Sequence, residues 1–257
     1  MKIAIAGAGG RMGQALIEAV LAERGLELVA AFDAAGSPAI GRAAGSVKVQ
    51  ADLGGLAAAD VLIDFTRPAG TLLHLEACVK FGKALVIGTT GFSEPQQQRV
   101  AAGGKRVPIV MSPNFAIGVN VLFRLAQTAA QALGEDYDVE IVEAHHRHKV
   151  DAPSGTALKL GELVAAALGR KLDEVAAHGR SGNTGERPAK EIGFHALRGG
   201  DIVGEHTVIF AGAGERVEVA VRSQSRSTYA AGALRAARWL EGRGPGLYDM
   251  AEVLGLK

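Results

Sequence analysis

A single cysteine, Cys78, is all the thiol chemistry this chain has. That excludes an intrachain disulfide and any cysteine-rich zinc or iron–sulfur site, and it fits a reducing compartment. Charge of one sign is equally scarce: 28 Lys and Arg stand against 27 Asp and Glu, a formal +1, with no block of like charge to meet a phosphate backbone or an anionic membrane. Neither nucleic acid nor membrane is expected as a partner; a small molecule is. No run of about 18 apolar residues occurs, and the opening MKIAIAGAGG has one basic residue and a short apolar run before its glycines, too little for a signal-peptide core. A cytoplasmic location is expected. Apolar residues make up 48% of the 257, ample to bury the core of one large α/β domain or two modest ones.

Short apolar runs alternate with helical patterns along the first half: KIAIA, the helix pattern QALIEAVLAE, then LELVAAFD, VLIDF, KALVIGTTG and VPIVMS. Parallel strands need crossovers, usually helical, so residues 1 to about 112 predict an α/β fold with a doubly wound parallel sheet. The rhythm changes at residue 117. A helix through about Leu133, a strand YDVEIVEAHH, a helix from about Ser154 to Leu168 and the charged loop HGRSGNTGERPAKE follow. EIGFHAL, HTVIFA and ERVEVAVRS then come in succession with short connectors, the pattern of a meander in a second, α+β domain. A helix, TYAAGALRAARWLEG, and a short tail close the chain. The two domains are expected to share a cleft at hinges near Ser112–Phe115 and near Ser225.

The first chemical signal is IAIAGAGGRMGQAL, a strand that runs into Gly7, Gly9, Gly10 and Gly13 and then into a helix. Backbone N–H groups at such a helix start can face a pyrophosphate with no Cβ in the way. The spacing is G-x-x-G-x-x-G through Gly7, Gly10 and Gly13, since Met12 holds the position where the common G-x-G-x-x-G pattern has its last glycine. Asp33, at the end of the second strand, can accept both ribose hydroxyls of an adenosine. The alternative is a structural glycine turn and strand-end acid. VIGTTGF ends another strand, on the side where open α/β sheets bind ligands, so Gly88, Thr89 and Thr90 are expected to line a nicotinamide or to be a plain polar loop. The run SPNF, residues 112 to 115, reads either as a proline-punctuated hinge or as a nicotinamide contact.

Three histidines fall within four positions in EAHHRHKVDAPSGTA, residues 143 to 157. Zinc is the first alternative, but on a strand His145 faces one way and His146 and His148 the other, with Arg147 and Lys149 adding positive charge. No metal is expected. A solvated basic strand end is the bland alternative. The catalytic reading uses the whole string: His145 and Lys149 carry or relay protons, Ser154 caps a helix, and Gly155 and Thr156 offer N–H groups to a carboxylate. The substrate is then an anion that is also protonated.

GAGGRMG, IGTTG, NFAIGVN and above all EAHHRHKVDAPSGTA resemble, in order and spacing from end to end, the motifs of the 4-hydroxy-tetrahydrodipicolinate (dihydrodipicolinate) reductase family of the lysine pathway. The resemblance implies a Rossmann-type domain over residues 1–113, completed by 226–257, and a substrate-binding, tetramerisation domain with a mixed sheet over 114–225. It implies reduction of a cyclic dicarboxylate imine by NADH or NADPH. It places cofactor contacts on Gly7, Ala8, Gly9, Gly10, Arg11, Met12, Asp33, Gly88, Thr89, Thr90, Ser112, Pro113, Asn114 and Phe115, proton donors on His145 and Lys149, and substrate contacts on His146, Gly155 and Thr156 beside Ser154. Another nicotinamide-dependent imine or carbonyl reductase, and a non-enzymatic NADH-binding redox sensor, are the alternatives. In family members that use both cofactors well an arginine follows the ribose acid; here Ala34, Ala35 and Gly36 follow Asp33, so NADH is expected to be preferred over NADPH.

Overall fold

In KIAIA the four residues Ile3 to Ala6 are fully buried. A strand apolar on both faces needs cover on both, which parallel sheets receive from crossover helices. The structure, a computed structural model, describes residues 1–225 and 227–256; Arg226 and Lys257, the two ends of the expected closing segment, lie outside the described residues. The chain divides into two units, Met1–Ile117 with the C-terminal segment, and Gly118–Ser225.

The first unit begins with β1 (Lys2–Ala6), α1 (Arg11–Ala22), β2 (Glu27–Phe32), β3 (Ala43–Ala44), β4 (Val47–Gln50), β5 (Val61–Asp64), α2 (Pro68–Phe81), β6 (Ala84–Ile87), α3 (Glu94–Gly104) and β7 (Pro108–Met111). The second holds α4 (Ile117–Leu133, entered one residue early), β8 (Asp138–His145), α5 (Gly155–Ala167), α6 (Leu172–Val175), β9 (Ala176–His178), β10 (Ile192–Arg198), β11 (Gly204–Ala211) and β12 (Arg216–Ser223). The chain then returns to the first unit with α7 (Ser227–Trp239), β13 (Gly246–Tyr248) and α8 (Met250–Leu254).

The first sheet has the order β13-β7-β6-β5-β1-β2-β4-β3, with every pair parallel except the short β3–β4 ladder. This is the expected doubly wound sheet. Alternation along β1 assigns its faces: Ile3 and Ile5 join Leu16 and Val20 of α1 and Leu234 of α7, whereas Ala4 and Ala6 join Leu72 and Leu75 of α2 and Val100 of α3. The chain builds outward from β1 through β2, then resumes with β5 on the other side of β1. That reversal makes the carboxyl ends of β1 and β5 the topological switch point, the place where such sheets bind ligands. The short tail, to which the sequence assigns no element, supplies β13 as an edge strand beside β7. Three residues beginning with glycine show no periodicity, so this strand exists only because β7 offers it a free edge.

The second unit's sheet is mixed, in the order β12-β11-β8-β10-β9. The expected meander is corrected: β10 and β11 do not pair, because β8 lies between them, parallel to β10 and antiparallel to β11. Only β11 and β12 form a hairpin ladder. The helical passage through α5 and α6 lets β10 return parallel to β8, and the short connector after β10 crosses the end of β8 to the other side. There Gly199 N donates to His145 O (3.0 Å) and Arg147 N to Gly200 O (3.2 Å). One face of this sheet, with Val139, Ile141, Phe194, Val208 and Phe210, packs on Leu122 and Ala126 of α4 and Leu160 and Val164 of α5. No helix among the described residues is long and apolar enough to cross a membrane.

Candidate active site

In the first unit the predicted cofactor residues gather at the carboxyl ends of β1, β2, β6 and β7. Gly7 takes a positive φ of 74°, and a Cβ at Gly13 would overlap the Gly7 carbonyl oxygen, so the turn from β1 into α1 admits glycine at both places. Gly10 caps α1 without a side-chain hydrogen bond, and Arg11, exposed, is the helix's first residue. Ala8 is buried beneath the turn, its N–H donating to Phe32 O at 3.0 Å, while Met12 packs against the core. Asp33 is tied to the same turn: Gly9 N donates to Oδ2 at 2.7 Å and Ala34 N to Oδ1 at 2.8 Å. Gly88 to Thr90 follow β6, with Thr89 buried and Thr90 exposed. After β7, Ser112 and Phe115 are buried and Pro113 is exposed; Ser112 Oγ donates to Asn114 O at 2.8 Å, and Asn114 Oδ1 accepts from Ala116 N at 2.9 Å.

In the second unit β8 does most of the positioning. Its inward row runs Val139, Ile141, Glu143, His145: two apolar side chains, then a carboxylate 1% exposed, then the histidine. A buried carboxylate must be fully hydrogen-bonded, and Glu143 is. Its Oε2 accepts from Arg198 Nη1 at 2.8 Å and pairs with His145 Nδ1 at 2.6 Å, while its Oε1 accepts from Arg198 Nη2 at 2.7 Å and Ser154 N at 3.1 Å. One side chain therefore holds both the predicted proton carrier and the residue that opens the predicted carboxylate nest. Ser154 Oγ accepts from Ala157 N at 3.2 Å, capping α5, so its own proton points to His206 Nε2, 2.9 Å away. A Cβ on Gly155 would meet nothing within 4 Å. Lys149 Nζ is held by both oxygens of Asp151, each at 2.9 Å.

The expected strand through HHRH is corrected as well. β8 stops at His145, and residues 146 to 149 form a turn closed by Lys149 N donating to His146 O at 3.1 Å, so His146 and His148 do not alternate across a sheet; their rings lie 6.2 Å apart. The connector hydrogen bonds from Gly199 and Gly200 cap the strand there. Among the described residues no group of three His, Cys, Asp or Glu could hold a metal ion. Sequence reading missed Glu143, Arg198 and His206 as parts of this cluster. Glu143 had a usable signal, since two residues before His145 on a strand is the same face; Arg198 and His206 come from strands whose pairing with β8 no local pattern announces.

Burial pushes Glu143 up, but the Arg198 and His145 hydrogen bonds outweigh it and leave the carboxyl below its ordinary value. Burial lowers His145, and Lys149 and Arg198 add to that against the opposing pull of Glu143, so the ring is neutral at pH 7, with Nδ1–H donated to Glu143. His206, 4% exposed, is pushed from 6.5 to about 4, first by burial and then by His145. In the unfolded chain His206 takes up a proton below about pH 6.5, whereas the folded chain resists until about pH 4. The unfolded state thus binds more protons in that window, and stability is lost as pH falls through it, approaching about 3 kcal/mol from this group; Glu143 adds the same sign at lower pH. Urea unfolding at pH 7, 5.5 and 4.5 should show this loss in the wild type and a shallower one in His206→Gln. Parallel pH dependences would exclude His206 as its source.

Two family models cover the chain: dihydrodipicolinate reductase, N-terminus, over residues 1–115, and dihydrodipicolinate reductase, C-terminus, over residues 118–254. The chain belongs to the dihydrodipicolinate reductase family. It is 56% identical to the 4-hydroxy-tetrahydrodipicolinate reductase of Aromatoleum aromaticum, covering 100% of this chain and 96% of that one. It is 57% identical to the enzyme of that name from Burkholderia thailandensis, covering 100% and 99%. Among solved structures, the dipicolinate-bound dihydrodipicolinate reductase from Paenisporosarcina sp. TG-14 aligns over 98% of both chains with a TM-score of 0.81 at 27% identity.

Proposed function

We propose that the chain is an NAD(P)H-dependent oxidoreductase that reduces 4-hydroxy-tetrahydrodipicolinate to tetrahydrodipicolinate in the diaminopimelate route of lysine biosynthesis, in the cytoplasm. The observation that carries the reading is the Glu143 network, which joins a histidine and a helix start in the same string that resembles the family's most specific motif. A dinucleotide fits the first unit. A Cβ on Gly9 would lie 2.7 Å from Asp33 Oδ2 and from Ala39 Cβ, so the turn is open only as glycine, and Gly10 leaves the start of α1 without a side-chain cap. When bound there, the nicotinamide supplies a hydride.

The residues of this chain supply the rest. Gly155 and Thr156, at the start of α5, receive a substrate carboxylate, and His146 is a further substrate contact. Lys149 and His145 are the two candidate donors of the proton to C3, and the Lys149 ammonium also meets the negative charge that develops on the ring; about 4 Å away at an effective dielectric of about 20 that attraction is roughly 4 kcal/mol before desolvation. At His145, Glu143 stabilises the ring each time it takes a proton. Dipicolinate, bound in the Paenisporosarcina structure, carries the same two carboxylates and is expected to inhibit competitively. A homotetramer, the family's assembly, would cover the largely exposed edge strand β12.

Following NADH absorbance with freshly generated 4-hydroxy-tetrahydrodipicolinate tests the reading directly. NADH binding without turnover would make the chain a sensor; turnover only with other imines or carbonyls would make it a different reductase. The same assay reads cofactor choice. Asp33 is held at the glycine turn by N–H groups of Gly9 and Ala34, a carboxylate poised for ribose hydroxyls, and exposed Ala34, Ala35 and Gly36 offer no cation to a 2′-phosphate. Arg11 can swing over the ribose and pair with that phosphate. We expect NADH to be preferred by about tenfold or less, or about 1.4 kcal/mol, with Ala34→Arg improving NADPH use and Arg11→Ala weakening NADPH more than NADH. A wild type that favours NADPH contradicts the role given to Asp33.

A further inference from the structure

Asp64, the last residue of β5, is 0% exposed, and nothing in the reduction described above uses it. A carboxylate this deep requires donors, and they come from one turn and one helix. Thr66 N and Thr66 Oγ1 donate to Oδ1 at 2.8 and 2.6 Å, and His74 Nδ1 of α2 lies 2.7 Å from Oδ2. From there the network enters the loop after β6. Thr89 Oγ1 accepts from Thr66 N at 3.0 Å and from Thr71 Oγ1 at 2.8 Å, which leaves its own proton facing Asp64 Oδ1 at 3.5 Å. The Thr89 hydroxyl is thus engaged inside the protein.

The turn Asp64–Phe65–Thr66 also touches every loop assigned to the cofactor on this side of the sheet. The Thr66 methyl lies 2.9 Å from where a Cβ on Gly7 would stand. A Cβ on Gly88 would overlap the Phe65 ring, so that ring forms the floor of the Gly88–Thr90 loop. On its other side Phe65 packs at 5.3 Å against Phe115 of the run after β7. The turn sits at the switch point between β1 and β5, where a displacement of a few tenths of an ångström would reach all three loops together.

We propose that Asp64 and His74, through Thr66 and Thr71, are positioning residues for the nicotinamide cofactor: the pair of buried Asp64 and half-buried His74 locks the turn, and the turn sets the spacing of the glycine loop, the Gly88–Thr90 loop and Phe115. This rests on the dinucleotide reading of the first unit. The test is NADH Kd by fluorescence titration well below the melting temperature, with Tm recorded alongside. Thr71→Val removes one hydroxyl at constant shape and should raise Kd several-fold, whereas Thr71→Ser keeps the hydroxyl and should stay near the wild type. Asp64→Asn puts an amide where two sets of donors converge and should raise Kd about tenfold. Lower Tm with unchanged Kd in Thr71→Val and Asp64→Asn would mean that the network serves folding alone, and would overturn the proposal. Should Asp64→Asn fail to fold, the valine and serine pair decides. A wild type that binds NADH without turning over substrate would remove the reductase reading, while the same Kd series still decides the positioning role.

Discussion

Lys149→Ala is expected to lower kcat by a factor on the order of 10² to 10⁴, the usual range for loss of a positioned acid, with the NADH Kd nearly unchanged. The split follows from where the groups sit: Lys149 belongs to Gly118–Ser225, and the residues assigned to the cofactor belong to the other unit. Lys149 is pre-paired with Asp151, whose side chain is 58% exposed. An ion pair that open to water contributes at most about 1 kcal/mol, so a substrate carboxylate can draw Lys149 away from Asp151 at little cost. His145→Ala should fall in the same range. Lys149→Arg keeps the charge but brings a guanidinium, which does not release its proton in proteins and has a different shape, so it should recover little of the rate. Steady-state kinetics together with NADH titration check each variant. Full turnover in both alanine variants would remove these residues from the chemistry.

Most of the first unit was legible because its signals are local. KIAIA, VLIDF and VPIVMS are short apolar runs between helical patterns, and the glycines that follow β1 have one structural use in that position. The second unit was legible in elements but not in pairing. β10 and β11 are neighbours in sequence, and only the long-range ladders to β8 separate them, so the local rule favoured a meander. The same limit explains what the site reading lacked. His145, Lys149 and Ser154–Thr156 lie within one string and could be read together. Arg198 and His206 reach that string only after β10 and β11 have paired on either side of β8. Asp64 and Thr89 are 25 positions apart, yet one ends β5 and the other follows β6, its parallel neighbour. VLIDF reads as a buried strand whose aspartate marks its exit, and nothing in it reports that the carboxylate stays inside.

Glu143→Gln carries the other large effect, and its sign can be followed atom by atom. Both oxygens of Glu143 are surrounded by donors: Arg198 Nη1 and the His145 ring at Oε2, Arg198 Nη2 and Ser154 N at Oε1. A glutamine has one acceptor and one NH₂, so whichever way it lies, two donors face two more. If the NH₂ faces His145, the ring can relieve the clash only by moving its proton to Nε2, and if it faces Ser154, the start of α5 loses its anchor. Removing the charge also removes the one influence that raises His145 against burial, Lys149 and Arg198, so a protonated ring becomes harder to form. We expect turnover to fall by about 10² or more, with the NADH Kd unchanged and the imidazole ¹⁵N spectrum showing loss of the Nδ1–H form. Glu143→Ala should do further harm, because Arg198 is left without its main partner and breaking a buried pair costs about 3 kcal/mol or more. If Glu143→Gln keeps both the Nδ1–H tautomer and wild-type turnover, then Glu143 does not orient His145, and the network around it serves only to close the end of the sheet.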